Sequence, residues 1–412
     1  SEVLANGNTT GGTDILFGDN DKAIFGAGSD LQIYHTGSAS YITDGGTGNL
    51  YLGADNLRVT TADGLGFYFT ADNGGASTIY HNASPKLATT STGISVTGTA
   101  VTDGLTVAGN VSVDGGTIKL DGNYPVGTGN VALGNTAFDS VTSGIQNTAI
   151  GANSMTANTS GTNNTAVGRS SLSANTTGAE ITAIGTNALS FNSTGRYNTA
   201  LGSSALLSNT TANNNTAVGY QAGYSNTTGE YSTMVGWSAG YANTTGSIEA
   251  FGAGALDANT TGTFNAAFGR SALTSNTTGN NNVAIGYASL LLNTTASNNT
   301  AVGYQAGYSN TTGSGNVAVG TNALEYNTTA SSNTAVGHRS LLFNTTGSEI
   351  TALGNHALHN NSTGAQNNAT GVYSLYSNTT GSSNVANGYR ALFSNTTASS
   401  NTAVGYHAGY SN

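Results

Sequence analysis

A chain of 412 residues is long enough for two or three globular domains, yet only 7% of its residues are charged, and it carries 59 Gly and 2 Pro where ordinary soluble domains are about a quarter charged. That balance excludes an ordinary enzyme-like domain, while 37% hydrophobic residues in short, evenly spaced groups exclude a disordered polymer. The absence of cysteine rules out disulfides and thiolate metal sites, and a net charge of −10 with 3 Lys and 6 Arg scattered along the chain leaves no surface for a phosphate backbone, so nucleic acid is not an expected partner.

Residues 1–92 read as a β-rich segment. Apolar groups recur every eight or nine residues, at Ile15-Leu16-Phe17, Ala23-Ile24-Phe25, Leu31-Gln32-Ile33-Tyr34, Tyr41-Ile42, Leu50-Tyr51-Leu52, Leu57-Arg58-Val59 and Phe67-Tyr68-Phe69, with Gly, Asp and Asn between them. Residues 93–126 tighten that rhythm into a slim connector, where Ile94-Ser95-Val96, Leu105-Thr106-Val107, Val111-Ser112-Val113 and Ile118-Lys119-Leu120 alternate between Asp-Gly and Gly-Asn turns.

From 127 to 412 the chain repeats itself. The glycine closing each Asn-Thr-Ala-Val-Gly block recurs from Gly134 to Gly405 in seventeen copies at a period of 17, with one interval of 16 between Gly236 and Gly252. A unit such as Asn215 to Gly229, rich in Thr, Val and Asn-Thr-Thr-Gly, is strand and turn chemistry, with room for two short strands and no ordinary helix. The expected fold is therefore all-β: a parallel β-solenoid of 17-residue coils, stacked at ~4.8 Å, preceded by the β-rich fibre segment.

Columns of equivalent residues carry the next expectations. The column before the glycine is apolar in fifteen copies, including Leu133, Ile150, Val167, Phe251, Phe268 and Val404, and is expected to point into the coil, with Thr370 and Asn387 disturbing its filling. One residue earlier stands Ala in every copy except Met234, so both strand faces are small or apolar and a second surface is needed to cover the outer one. Self-association follows, with the Ala column as the expected intersubunit face. Fifteen coils carry Asn-Thr-Thr or a near variant, from Asn158 to Asn395; these read as a stacked Asn ladder, with N-glycosylation the competing reading.

The Asn-Thr-Ala-Val-Gly repeat resembles the head of trimeric autotransporter adhesins of the YadA type, whose shorter coils build left-handed parallel β-rolls that trimerise. The segments Ala23 to His35 and Gly104 to Val111 resemble blocks of marine phage tail fibres, cyanophage fibres especially. These resemblances imply a homotrimeric fibre on a virion, partnered by other tail proteins and involved in host attachment. A bacterial surface adhesin fragment at the cell surface and an ice-binding solenoid are the alternatives. The chain has neither signal peptide, heptad stalk nor membrane-anchoring β-domain, which favours the phage reading and argues against membrane insertion; it ends in mid-coil at Asn412, so more polypeptide is expected to follow. An ice face would need a regular Thr lattice, and the Thr216 column is broken by Glu249, Val283, Val317 and Asn368.

No catalytic, cofactor or metal site is expected. His338, His356, His359 and His407 fall at outward or turn phases of the repeat, and Asp19-Asn20-Asp21 lacks the spaced ligands of a calcium loop. No Walker loop, nucleophile elbow or His-Glu-x-x-His occurs. Aromatics clustering around Ala-Gly-Tyr, namely Tyr224, Trp237, Tyr241, Tyr308 and Tyr410 with Tyr220, Tyr304 and Tyr406, are candidate platforms for a host glycan, with core or intersubunit packing the competing reading.

Overall fold

The computed structural model describes residues 16–97 and 127–411. Every regular element among them is a strand. The chain divides into two units, residues 1–114 and 115–412.

In the first unit, β1 (Lys22–Phe25), β2 (Leu31–His35) and β3 (Ser40–Asp44) form an antiparallel sheet. A second antiparallel sheet runs in chain order through β4 (Asn56–Thr60), β5 (Phe67–Asp72), β6 (Ser77–His81), β7 (Ser84–Thr90) and β8 (Gly93–Val96). The pairing of Gly93–Val96 with Ser84–Thr90 carries this sheet past residue 92, so the connector drawn from Gly93 begins inside it. The other three apolar groups of that connector lie outside the described residues. Leu16-Phe17 and Leu50-Tyr51-Leu52 are not strands, and the Pro-containing Ser84–Thr90 strand carried no clear sequence signal. Both sheets are open: among the described residues of this unit Thr70 and Thr78 alone are buried, while Ile24, Phe25, Ile42, Tyr68 and Ile94 stand exposed.

The second unit is a parallel β-solenoid. Seventeen three- or four-residue strands, from β9 (Val131–Leu133) to β25 (Thr402–Val404), pair in register with their neighbours one coil away, as Thr199, Ala200 and Leu201 do with Thr216, Ala217 and Val218. The sequence left room for two strands per coil, and only one forms. On the other side the backbone still bonds from coil to coil, Gln221 N–H donating to Ser203 O at 3.0 Å and Gly223 N–H to Ala239 O at 2.9 Å. Its residues alternate through the left-handed region, with φ of 55° at Gln221 and 62° at Gly223, and therefore cannot pleat.

The closing glycine is obligatory. Gly219 has φ 135°, and a Cβ there would stand 2.3 Å from Gly236 O of the next coil, a conformation and a spacing that exclude any side chain. Beyond this corner the core column of Phe138, Met155, Leu172, Leu206 and Leu256 fills the interior at 0–1% exposure.

Opposite those leucines lies the Ala column, Ala149, Ala217 and Ala335 among its members, also at 0% exposure. This reverses the expected facing of the strand. Leu133, Ile150, Leu201, Phe268 and Ile285 of the neighbouring column point outward at 36–48% exposure, because the leucines leave space for a single methyl beneath the strand and the alternation of the strand then sends both flanking columns outside. Thr370 and Asn387 consequently sit on the outer face and create no polar gap in the core.

Met234 shows the same volume rule in reverse. Four coils replace the core leucine with glycine, at Gly223, Gly240, Gly307 and Gly409; at the adjacent pair Gly223 and Gly240, a Cβ at Gly223 would meet Met234 Cε at 2.7 Å while one at Gly240 would meet its Sδ at 2.9 Å. The long side chain enters from the strand side to fill what those glycines vacate. The 16-residue interval also resolves simply: its deletion falls in the turn at Ser247, and Asn259 still donates to Asn243 across it at 2.9 Å.

Candidate functional site

The Asn-Thr-Thr turns are structural. Each Asn from Asn175 to Asn395 donates its amide to the Oδ1 of the Asn one coil before, at 2.7–3.1 Å, without a break. The second amide proton is used within the turn, as Asn226 donates to Gly229 O at 3.0 Å. These side chains are 0–1% exposed, which excludes a sugar on the folded coil. A parallel ladder was not foreseen: Asn215 accepts from the Ser232 backbone N–H at 2.9 Å and donates to Gly229 O at 2.8 Å. One turn carbonyl thus serves both ladders.

The first Thr of each turn is also spent internally, Thr227 Oγ1 donating to Thr244 O at 3.1 Å. The second faces solvent, so that Thr177, Thr228, Thr278 and Thr346 belong to an exposed column. The free threonines are these, rather than those of the interrupted Thr216 column. They form a rank one residue wide.

The solenoid's chemical diversity is concentrated on a strip formed by two mostly half-buried columns, those of Gln221 and Tyr224, which lie either side of two buried residues and are brought together by the turn at Ala222. In the early coils the strip is small and polar, with Ser170 and Ser173, then Asn187 and Ser190. In the late coils it is aromatic and basic, with His356 and His359, Tyr373 and Tyr376, Arg390 and Phe393, and His407 and Tyr410.

Of the residues expected to bind a glycan, Tyr224 and Tyr241 stack at 5.0 Å with an angle of 16° between planes. Trp237 stands 61% exposed on the column next to the closing glycine and among the described residues makes no ring stack. Tyr308 and Tyr410 share the Tyr224 column and are separated by the coils of Glu325, Leu342, His359, Tyr376 and Phe393. Tyr410 closes a continuous run: His359, Tyr376, Phe393 and Tyr410 stack ring on ring at 5.1–5.2 Å.

Three of the histidines that the sequence placed at outward or turn phases meet at this strip, His356 and His359 within it and His338 on the column beside it. His338, His356 and His359 lie ring to ring at 5.0–5.2 Å. Burial holds the His356 and His359 pKa values below 6.5, aided by their cationic neighbours; the Asn360 hydrogen bond opposes the shift at His359. Arg390 lies over the rings of Tyr373, Tyr389 and Phe393 at 5.2–5.6 Å. No group of three metal-ligating side chains with suitable geometry occurs among the described residues, and no described helix is long and apolar enough to cross a membrane.

One coil upstream the strip opens into a groove of about 430 Å³. Its floor is Leu342 and His359, its sides are Tyr304 on one hand and the Tyr326–Phe343 stack on the other, and Gln305, Asn322, Glu325 and Arg339 supply polar groups.

No family model, no curated protein and no solved structure matches this chain.

Proposed function

We propose that the chain is the shaft of a homotrimeric fibre of the bacteriophage tail-fibre kind, a structural virion protein that carries a host-attachment surface and has no enzymatic role. The observation that carries this reading is the outward, largely apolar column from Leu133 to Val404, whose members a lone solenoid leaves half-buried or exposed. Two open sheets with no core among the described residues of the first unit argue the same way, since sheets of three and five strands need a covered face to be stable. Identical copies meet both needs at once: the column is apolar in fifteen of seventeen coils, interrupted at Thr370 and Asn387, so one rigid alignment covers nearly all of it.

The face assigned to the neighbour is the Val218 column, whereas the Ala column lies inside each coil. The phage assignment rests on the likeness of Ala23 to His35 and Gly104 to Val111 to tail-fibre blocks. Other tail proteins and a host-surface receptor are then its partners, and the virion its location. Electron microscopy of the purified chain tests the proposal. The expected image contains a solenoid section of roughly 80 Å, from seventeen coils at ~4.8 Å each, with threefold end views; solenoid sections of single-coil width would overturn it.

A further inference from the structure

We propose that the groove between Tyr304 and the Tyr326–Phe343 pair is a binding site for a neutral pyranose oligosaccharide. Tyr326 and Phe343 stack at 5.2 Å with 19° between planes and are 42–44% exposed, so each covers one face of the other and Tyr326 keeps a second face that no described ring covers. Tyr304, 50% exposed and stacked on Tyr287 at 5.4 Å, faces the groove from the adjoining column. Aromatic faces of this kind take the C–H face of a sugar ring, which is apolar while its edge is polar. A volume of about 430 Å³ lies within the roughly 300–1,000 Å³ range of small-ligand sites.

The polar groups are held in place. Asn322 Nδ2 donates to Glu325 Oε2 at 2.6 Å and also approaches Gln305 Oε1 at 3.4 Å, which leaves the Asn322 carbonyl, the other Glu325 oxygen and the Gln305 amide free to meet ligand. Arg339 adds guanidinium donors and is not ion-paired with Glu325; among the described residues the single ion pair is Arg58–Asp72. Fixed acceptors beside fixed donors match sugar hydroxyls, each of which both donates and accepts. Glu325 and Arg339 offset each other's charge, so the groove carries no net charge and matches an uncharged sugar. Because the aromatic run continues through Tyr376, Phe393 and Tyr410, the surface suits an extended chain rather than a single sugar.

One chain supplies every group of the site, so the assignment is independent of copy number and deepens the reading of the fibre as an attachment device. Saturation-transfer NMR of the full chain against maltohexaose, cellohexaose, mannohexaose, a galactan hexamer and a polygalacturonate hexamer tests it. At least one neutral hexamer is expected to bind, with affinity reduced at least tenfold in Tyr326→Ala and in Glu325→Gln and unchanged in Tyr197→Ala, an exposed tyrosine on another column. Glu325→Gln preserves shape and keeps the test valid should Tyr326→Ala fold poorly. Silence with all four neutral hexamers, equal binding by both groove variants, or binding of polygalacturonate alone overturns the proposal. If the mass by light scattering remains that of an assembled fibre in the silent case, the fibre reading stands and only the sugar site falls.

Discussion

Met234 is the position where the packing argument is most exposed to test. Met234→Ala removes three buried groups beyond Cβ, a transfer loss of about 0.8 kcal/mol each, and leaves an unfilled space that adds roughly 1–2 kcal/mol. Because the facing residues are Gly223 and Gly240, no side chain directly opposite can fill the gap, which only Leu206 and Ile248 border from adjacent coils, so a total of about 4 kcal/mol is expected, in the upper part of the range for such truncations. A solenoid opens locally, and the suitable assay is native-state hydrogen exchange at the Gly240 N–H, which donates to Ala255 O at 2.9 Å. Met234→Ala combined with Gly223→Leu and Gly240→Leu recreates the neighbouring coils, where Leu206 and Leu256 hold φ of 48° and 53° close to the 61–62° of these glycines, and is expected to recover most of the loss. Gly223→Leu alone should destabilise, its Cβ meeting Met234 Cε at 2.7 Å. A loss under about 1 kcal/mol for Met234→Ala, or no recovery in the triple variant, would refute the reasoning.

Further expectations follow from the corner, the ladder and the histidines. Gly219→Ala forces a Cβ to 2.3 Å from Gly236 O at φ 135° and should split the solenoid at that coil, seen as two exchange-protected blocks where the native chain shows one. Asn226→Ala removes the acceptor of Asn243 and the donor to Asn209, with an expected cost of about 2–3 kcal/mol for the buried amide left without its partner; intact-mass analysis should meanwhile find no sugar on any folded Asn-Thr-Thr turn. His356 and His359, held below 6.5 mainly by burial, bind fewer protons folded than unfolded, so stability should be lost as pH falls through about 6.5. Glu249 and Asp257, raised by burial above 4.5 and 3.8, act with the opposite sign just above those values, in other coils. Exchange should therefore rise first around His356 as pH drops from 7.5 to 5.5, and a uniform response along the solenoid would contradict this.

The period was legible because a single atom enforces it: wherever Gly219 or its equivalents stand, the next coil's carbonyl occupies the site of a Cβ. The Asn226 ladder was legible for a similar reason, an amide being able to bond its own copy one coil away. The facing of the strand was not. Hydrophobicity ranks Val218 above Ala217 as a core residue, yet the interior is narrow and already filled by leucines from the other side, so volume decides against the larger residue. The missing second strand left no sequence trace either, since Gln221, Leu206 and Tyr231, all at positive φ, are not residues that announce a left-handed backbone. Of the groove's aromatic side chains sequence reading named Tyr304 alone and missed Tyr326 and Phe343, together with Asn322, Glu325 and Arg339, which become neighbours only when columns three residues apart are laid side by side. That arrangement was visible in the paired late-coil substitutions once the coil was known to turn between Gln221 and Tyr224.

The most direct test of the outward apolar column is the mass of the chain in solution by light scattering, set beside that of a Leu201→Asp, Ile285→Asp variant. Both residues are on the exposed face at 42–45%, so the coil itself has no need to unfold when they change. A native mass near three times 41.0 kDa, falling toward a single chain in the variant with exchange protection inside the coils retained, is the predicted result. A native chain at 41.0 kDa, or a trimer indifferent to both aspartates, would contradict the claim that this column is where the copies meet.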